Sequence, residues 1–325
     1  MRCLTRLVFA LFVLIAPFQA SAWNNIGHMT VAYVAWQNLD VATKTKATAL
    51  IKLNPLYQST WVPLIPADIT GDKRDMYLFM IAATWPDQIK SMTSEFKCNG
   101  NSNTDTAPSN EVASLNTGYD DPCMHKYWHF IDISLGSPVH ATPKINGDVK
   151  IEAFAKALAS NEADPIKSYD LVWIEHLVGD LHQPLHCVTR YSSLHPSGDG
   201  GANSVKIKTA PEELHGYWDD ILGNITHSLY TDATLAEQVA TALPALDDAD
   251  ATLAADSISD HWAMESFTYA QTTAYVSPIG PEWGPYSLNP TYHDNAFSLA
   301  QKRVTFAGIR LSNLLKTALA APASS

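Results

Sequence analysis

Between Ser168 and Cys187 the chain reads SYDLVWIEHLVGDLHQPLHC. His176 and Asp180 stand four residues apart, which on an α-helix puts both side chains on one face about one turn apart. His186 follows six residues after Asp180, beyond Pro184, which loosens or bends a helix and re-aims what comes next. Leu171, Val172, Trp173, Ile174, Leu177, Val178 and Leu181 make the stretch apolar. Imidazoles and a carboxylate are expensive to bury there unpaired. A metal ion removes that cost, and neutral imidazole with carboxylate is a donor set that zinc accepts. His215 and Asp219 repeat the same spacing; Asp87 closes a Trp-Pro-Asp turn; His129 begins His129-Phe130-Ile131-Asp132.

The rest of the chain must carry these donors to one place. Arg2 and Arg6, the apolar run Leu7 to Ala16 and Ala20-Ser21-Ala22 form a secretory leader over residues 1–22, too short to span a bilayer. The mature chain, 23–325, is then expected to begin at Trp23, to lack a membrane anchor and to be secreted or periplasmic, as a monomer. Without Arg2 and Arg6, 19 basic residues face 33 acidic ones, a formal charge of −14. That sign opposes nucleic-acid binding by bulk electrostatics, so any such site is local, with bound cations reversing the sign in a cleft. Of the remaining cysteines, Cys98 and Cys123 flank a polar segment and are read as a disulfide. Cys187 is a zinc ligand or, the preferred reading, a small buried residue.

Apolar periodicity predicts helices over about Trp23–Leu39, Ala42–Leu53, Asp75–Lys90 with a break at its Trp-Pro-Asp end, Ile151–Ala159, the central stretch, Glu212–Ile221, Leu235–Leu253, Ser257–Ala274 and Phe297–Leu319. Tyr127–Ile133 reads as strand or extended, and Val205–Lys208 as a small strand at best. The class is mainly α: a single compact multi-helix domain with a minor β-hairpin.

Five pieces taken together resemble the zinc-dependent S1/P1 nuclease family: Trp23-Asn24-Asn25-Ile26-Gly27-His28, Thr84-Trp85-Pro86-Asp87, His129-Phe130-Ile131-Asp132, the stretch His176 to His186, and His215-Gly-Tyr-Trp-Asp219. Ala307 to Leu311 is similar to the family's last helix. The likeness runs in order through the mature chain and implies a fold of the phospholipase C/nuclease type. It implies three zinc ions: one on Asp87, His129, His176 and Asp180; a second on His28, bridging Asp180 and the backbone amine and carbonyl of Trp23; a third on His186, His215 and Asp219. It further implies cleavage of single-stranded DNA and RNA at P–O3′ to give 5′-phosphates, and action on 3′-nucleotides. Asp87 would be the proton acceptor and Lys90 the cation at the transition state; Phe130, Asp132 and Asn203 would take the base. The family's Gly-Gly-Asn loop reads Gly201-Ala202-Asn203 here, and Phe130 also suits ordinary packing.

Two other readings compete. A zinc-dependent phospholipase C shares the fold and the three-zinc plan, but usually ends its last motif in Glu where this chain has Asp219, and lacks the Phe130/Asp132 pair. A module using zinc only for stability would close each site with four protein ligands, whereas the third set offers three. His182, two residues from Asp180, points off the ligand face and reads as a packed histidine. His125 and His195 default to surface or capping.

Overall fold

The computed structural model describes residues 23–98, 106–193 and 196–320. The expected leader and His195 lie outside the described residues. Helix α1 (Asn25–Asn38) starts where the Asn24 side chain accepts from the Ile26 and Gly27 N–H groups, a capping that supplies partners for otherwise orphaned donors. α2 (Val41–Ile51) is capped in the same way by Asp40. A π-helical turn, Tyr57–Trp61, leads into α3 (Val62–Leu64), and α4 (Gly71–Ala82) follows. The sequence suggested one segment to Lys90, broken at Pro86. The break instead falls at Ala83-Thr84, and Pro86 sits in the first turn of a separate helix, α5 (Trp85–Ser91). Proline suits that place because its missing N–H would be unpaired anyway. Asp87 and Lys90 thus share one short helix.

The Tyr127–Ile133 segment is not a strand. It opens with a 3₁₀ turn, Lys126–Trp128, whose Tyr127 and Trp128 are buried. Extended pairing begins only at β1 (Ser134–Gly136), and its partner is β2 (Thr189–Tyr191). The two run parallel, Ser134 opposite Thr189 and Gly136 opposite Tyr191, so the minor β element is not a hairpin. Parallel neighbours need a long crossover, here α6 (Gly147–Leu158) and α7 (Asp164–Asp180). Val205–Lys208 forms only isolated bridges, to Glu213 and Tyr286.

Every residue of α7 from Ser168 to Asp180 is buried, as expected of a helix with no polar face. α7 stops at Asp180, and Pro184–Cys187 forms a 3₁₀ turn. Beyond it come α8 (Leu214–Asp219), α9 (Leu229–Thr241), α10 (Asp248–Ala254), α11 (Ser259–Tyr269) with its π-helical end Ala270–Ala274, and α12 (Pro290–Ala318). The segment read as one helix over Leu235–Leu253 divides because Asp247 caps a new start. α12 begins seven residues earlier than Phe297 because Asn289 caps it and Pro290 fits its first turn. α1 lies against α12 where Gly308 faces Val34; a Cβ there would fall 2.5 Å from the valine side chain.

Cys98 and Cys123 form the expected disulfide, with Cα atoms 4.6 Å apart. Cys187 is free and buried. No described helix is long and apolar enough to cross a membrane. His182 is packed as read: its Nδ1 donates to Val178 O at 2.7 Å and its Nε2 accepts from Arg310 at 2.8 Å. His125 departs from its surface default. It is buried, stacked on Trp128 with ring centroids 3.5 Å apart, and bonded to Asp121 at 2.6 Å.

Candidate metal centre

Four elements bring the sequence-selected donors together. α1 carries His28 in its first turn, α5 carries Asp87, the segment after the 3₁₀ turn carries His129, and α7 carries His176 and Asp180. His28, His176 and Asp180 are fully buried, and His129 nearly so. Close approach depends on glycine at position 179, where a Cβ would lie 2.9 Å from His28 Nδ1.

His129 and His176 each bring a ring nitrogen within 4 Å of both Asp87 and Asp180. His129 Nδ1 lies 2.9 Å from His176 Nε2, 3.0 Å from Asp180 Oδ2 and 3.8 Å from Asp87 Oδ1. His176 Nε2 lies 3.5 Å from Asp87 Oδ1 and 3.4 Å from Asp180 Oδ2. A tetrahedral zinc with bonds of about 2.0–2.1 Å has ligand–ligand edges of roughly 3.3 Å, the middle of that range. The His176 Nδ1–H donates to Ala83 O at 2.8 Å, so its Nε2 lone pair is the one aimed inward. Such a carbonyl behind the ring is how a metal-ligating imidazole is normally held.

Asp180 turns its other oxygen away from this cage. Oδ1 has no hydrogen-bond partner and stands 3.3 Å from His28 Nε2. Neither ring nitrogen of His28 has a hydrogen-bond partner, though the ring stacks on His176 at 3.8 Å. His28 Nε2 is also 3.9 Å from Asp87 Oδ2, so both carboxylates turn one oxygen toward His28 and the other toward His176. Trp23 is buried beside this corner, its indole N–H donating to Gly179 O at 3.0 Å. The next residue's N–H donates to Asp219 O at 3.2 Å, which ties the Trp23 backbone to α8 as well.

A separate group gathers His186 from the 3₁₀ turn with His215 and Asp219 from α8. His186 Nδ1 donates to His129 O and His215 Nδ1 to Gly201 O, both at 2.6 Å. Both Nε2 atoms therefore carry lone pairs, and they face each other at 3.0 Å. Two lone pairs at that distance repel unless a cation sits between them. Asp219 Oδ2 is 3.6 Å from His215 Nε2, and its Oδ1 accepts from Gln183 at 2.8 Å. The donor chemistry of all three groups fits a divalent metal.

Electrostatics agree. Burial pushes His28, His129 and His186 well below the ordinary imidazole range, helped by His176, Lys90 and His215 respectively, and burial brings His215 to about 4. They are neutral, the state that binds metal. Burial raises Asp180, reinforced by Asp87, and raises Asp219; a bound cation would restore their charge. Asp87 differs. Burial would raise it, but Lys90 at 2.7 Å, with His176 and His129, holds it well below the usual carboxylate range. Lys90 itself is only 6 % exposed.

Phe130 and Asp132 line a cavity of about 310 Å³ with Pro108, Tyr127, Lys144 and Ile145. Asp132 Oδ1 accepts from the Thr189 hydroxyl, and burial raises the carboxyl above its ordinary range. Asn203 does not line that cavity. Its amide donates to Gly200 O at 2.7 Å, because the loop turns left-handed through Gly200, Gly201 and Ala202. Sequence reading passed over Gln183, which steadies Asp219, and Asp199, which is 1 % exposed and holds that loop. The nearness of both to the ligand motifs was the available signal.

A mainly helical domain whose buried histidines and aspartates crowd bare lone pairs together in this way has the make-up of a metal-dependent hydrolase. The chain belongs to the S1/P1 nuclease family, whose model matches residues 23–320, and is thus a hydrolytic nuclease. Among relatives, it is 25 % identical over 317 residues to Nuclease S1 of Aspergillus oryzae, covering 89 % of each chain. It is 24 % identical over 232 residues to Endonuclease 2 of Arabidopsis thaliana, covering 70 % of this chain and 65 % of that protein.

Proposed function

We propose that this nuclease holds three zinc ions, hydrolyses single-stranded DNA and RNA at P–O3′ to leave 5′-phosphates, and removes phosphate from 3′-nucleotides. The observation that carries the reading is the four-donor cage of Asp87, His129, His176 and Asp180, with edges of 2.9–3.8 Å. Asp180 and His28, with the Trp23 amine and carbonyl, would hold the second ion. His186, His215 and Asp219 would hold the third, whose three side chains leave an open position of the catalytic kind. When bound, such ions lower the pKa of water and withdraw charge from a phosphoryl group.

The chain's own residues supply the rest. Asp87, kept ionised in the cage, accepts the proton of the attacking water. Lys90 is held by the same carboxylate and presents positive charge to the transition state. Phe130 offers a face for stacking, which tolerates any base, and Asp132 accepts from a base N–H. A duplex hides its base faces, so an unpaired strand fits better. The leader over residues 1–22 and the disulfide suit an exported, monomeric enzyme. Removing the leader frees the Trp23 amine, which deprotonates near about pH 8 and gives up its proton to a metal at modest cost.

The test is metal analysis of the mature protein alongside digestion of single-stranded DNA with end-group analysis. Three zinc ions per chain, 5′-phosphate ends and phosphate release from 3′-nucleotides are expected. Faster release of diglyceride from phosphatidylcholine than of mononucleotides from RNA would replace this reading with a phospholipase.

A further inference from the structure

The loop between β2 and α8 contains a buried carboxylate with no part in the donor cages. Asp199 Oδ1 accepts the Arg190 N–H at 2.9 Å and the Ala202 N–H at 3.2 Å. Its Oδ2 accepts the Tyr275 hydroxyl at 2.9 Å and faces Arg190 Nε at 3.3 Å. The Asp199 backbone adds a bond in each direction, donating to Arg190 O and accepting from Ser204 N–H. One side chain thus fastens the loop to β2 and to the π-helical end of α11.

The loop so fastened is strained. Gly200, Gly201 and Ala202 have φ of 58°, 62° and 67°, and in a left-handed alanine the Cβ crowds the following carbonyl oxygen. A Cβ on Gly201 would fall 2.3 Å from Leu185 O, so the backbone passes directly over the 3₁₀ turn that carries His186. Its carbonyl there is the acceptor for His215 Nδ1 at 2.6 Å. That bond decides which nitrogen of His215 faces His186. By contrast, the ring of His176 in the other cage is steered by Ala83 O, far from this loop in sequence and on a different helix end.

We propose that Asp199 is a positioning residue for the third metal alone: it holds Gly201 O against His215, and so keeps the His215 lone pair aimed at the ion. The inference rests on the three-zinc reading above. Losing an outer partner of a metal-bound histidine typically lowers affinity about 10–100-fold.

Asp199→Asn keeps an acceptor for the Arg190 and Ala202 N–H groups but removes the charge facing Arg190 Nε. Tyr275→Phe removes one bond to the same carboxylate and leaves the loop's own contacts. Wild type and both variants are dialysed against graded pyridine-2,6-dicarboxylate, and zinc per chain is measured with near-ultraviolet circular dichroism as the check on packing. The expected result is that Asp199→Asn falls from three ions to two at a chelator level about 10–100-fold lower than wild type, with unchanged dichroism. Added zinc then restores both the third ion and 3′-nucleotidase activity. Tyr275→Phe should shift the same single ion by less. If Asp199→Asn does not fold, the Tyr275→Phe titration decides. Loss of all ions together with the dichroism in Tyr275→Phe, or retention of all three at wild-type chelator levels in every folded variant, overturns the inference. Fewer than three ions on the wild type overturns the three-zinc reading and this inference with it.

Discussion

The two halves of the donor array are built on different supports. The cage of Asp87, His129, His176 and Asp180, with His28 beside it, hangs mainly on helices: α1, α5 and the buried Ser168–Asp180 part of α7. The group of His186, His215 and Asp219 hangs on a four-residue 3₁₀ turn, a six-residue helix and a left-handed loop. Helix spacing sets one distance in each group, His176 to Asp180 and His215 to Asp219. In the first group His28 and Asp87 arrive on packed helices, His129 arrives on the segment after a 3₁₀ turn, and the one backbone carbonyl that steers a ring, Ala83 O on His176, lies at a helix end. In the second, outer contacts from Gly201, Gln183 and His129 O supply the aim. The loop-built group should therefore lose its metal to small changes around it, and the helix-built cage only to changes in the donors themselves.

The harshest test of that contrast is Asp180→Ala. One carboxylate serves the cage with Oδ2 and His28 with Oδ1, so its loss should remove two ions. Hydrolysis of single-stranded DNA should then fall by well over about 100-fold, more than an outer partner is worth. Zinc counting that finds only one ion missing would show that Asp180 does not bridge. Next in size is an extra residue placed before Trp23. The amine then becomes an amide, and zinc content should drop by one with most of the activity gone; full occupancy and rate would remove the amine from the ligand set.

Gly201→Ala and Gln183→Ala should act on the loop-built group alone. The first drives a Cβ into Leu185 O and the second strips the partner from Asp219 Oδ1. Each should weaken one ion about 10–100-fold and leave two in place, as read by chelator competition. Equal weakening of all three would erase the distinction between the halves.

Acid probes the same group through protons. Burial pushes His215 to about 4 in the folded, metal-free state against 6.5 for an ordinary imidazole. A group depressed in this way contributes stability in full above about 6.5 and loses it as pH falls to about 4. Protons should therefore compete for that nitrogen only near pH 4, whereas burial raises the Asp219 carboxyl of the same group, so zinc measured by ultrafiltration should leave the third group first through Asp219. A release profile that Asp219→Asn leaves unshifted would show that the carboxyl is not the proton's point of entry. The smallest effect is Ala202→Gly. Relief of the left-handed alanine, about 1–2 kcal/mol, is offset by the added chain entropy of glycine, roughly 0.5–1 kcal/mol, and by loss of a fully buried methyl, about 0.8 kcal/mol, so thermal unfolding should change by less than about 0.5 kcal/mol.

Legibility in the sequence followed the same division. His176 with Asp180 and His215 with Asp219 were readable because a helix converts a gap of four residues into a shared face. The Trp-Pro-Asp turn marked a break, yet not its position, because proline both ends one helix and starts another. Phe130 and Asp132 do share a cavity, whereas Asn203 turns back on its own loop, a consequence of three left-handed residues that no periodicity announces. His125 looked like a surface residue because its partners, Asp121 and Trp128, approach it only through turns.

Residue order alone determined the mainly helical class, the family and the paired donors within each helix, since these rest on local spacing and motif. Only the tertiary structure decided that Asp180 points its two oxygens at different histidines, that His186 and His215 set bare lone pairs face to face, and that Asp199 and Gly201 stand behind one of them. Those relations join residues tens to more than a hundred positions apart. They arise from packing and from buried polar groups that must find partners, which local sequence does not encode.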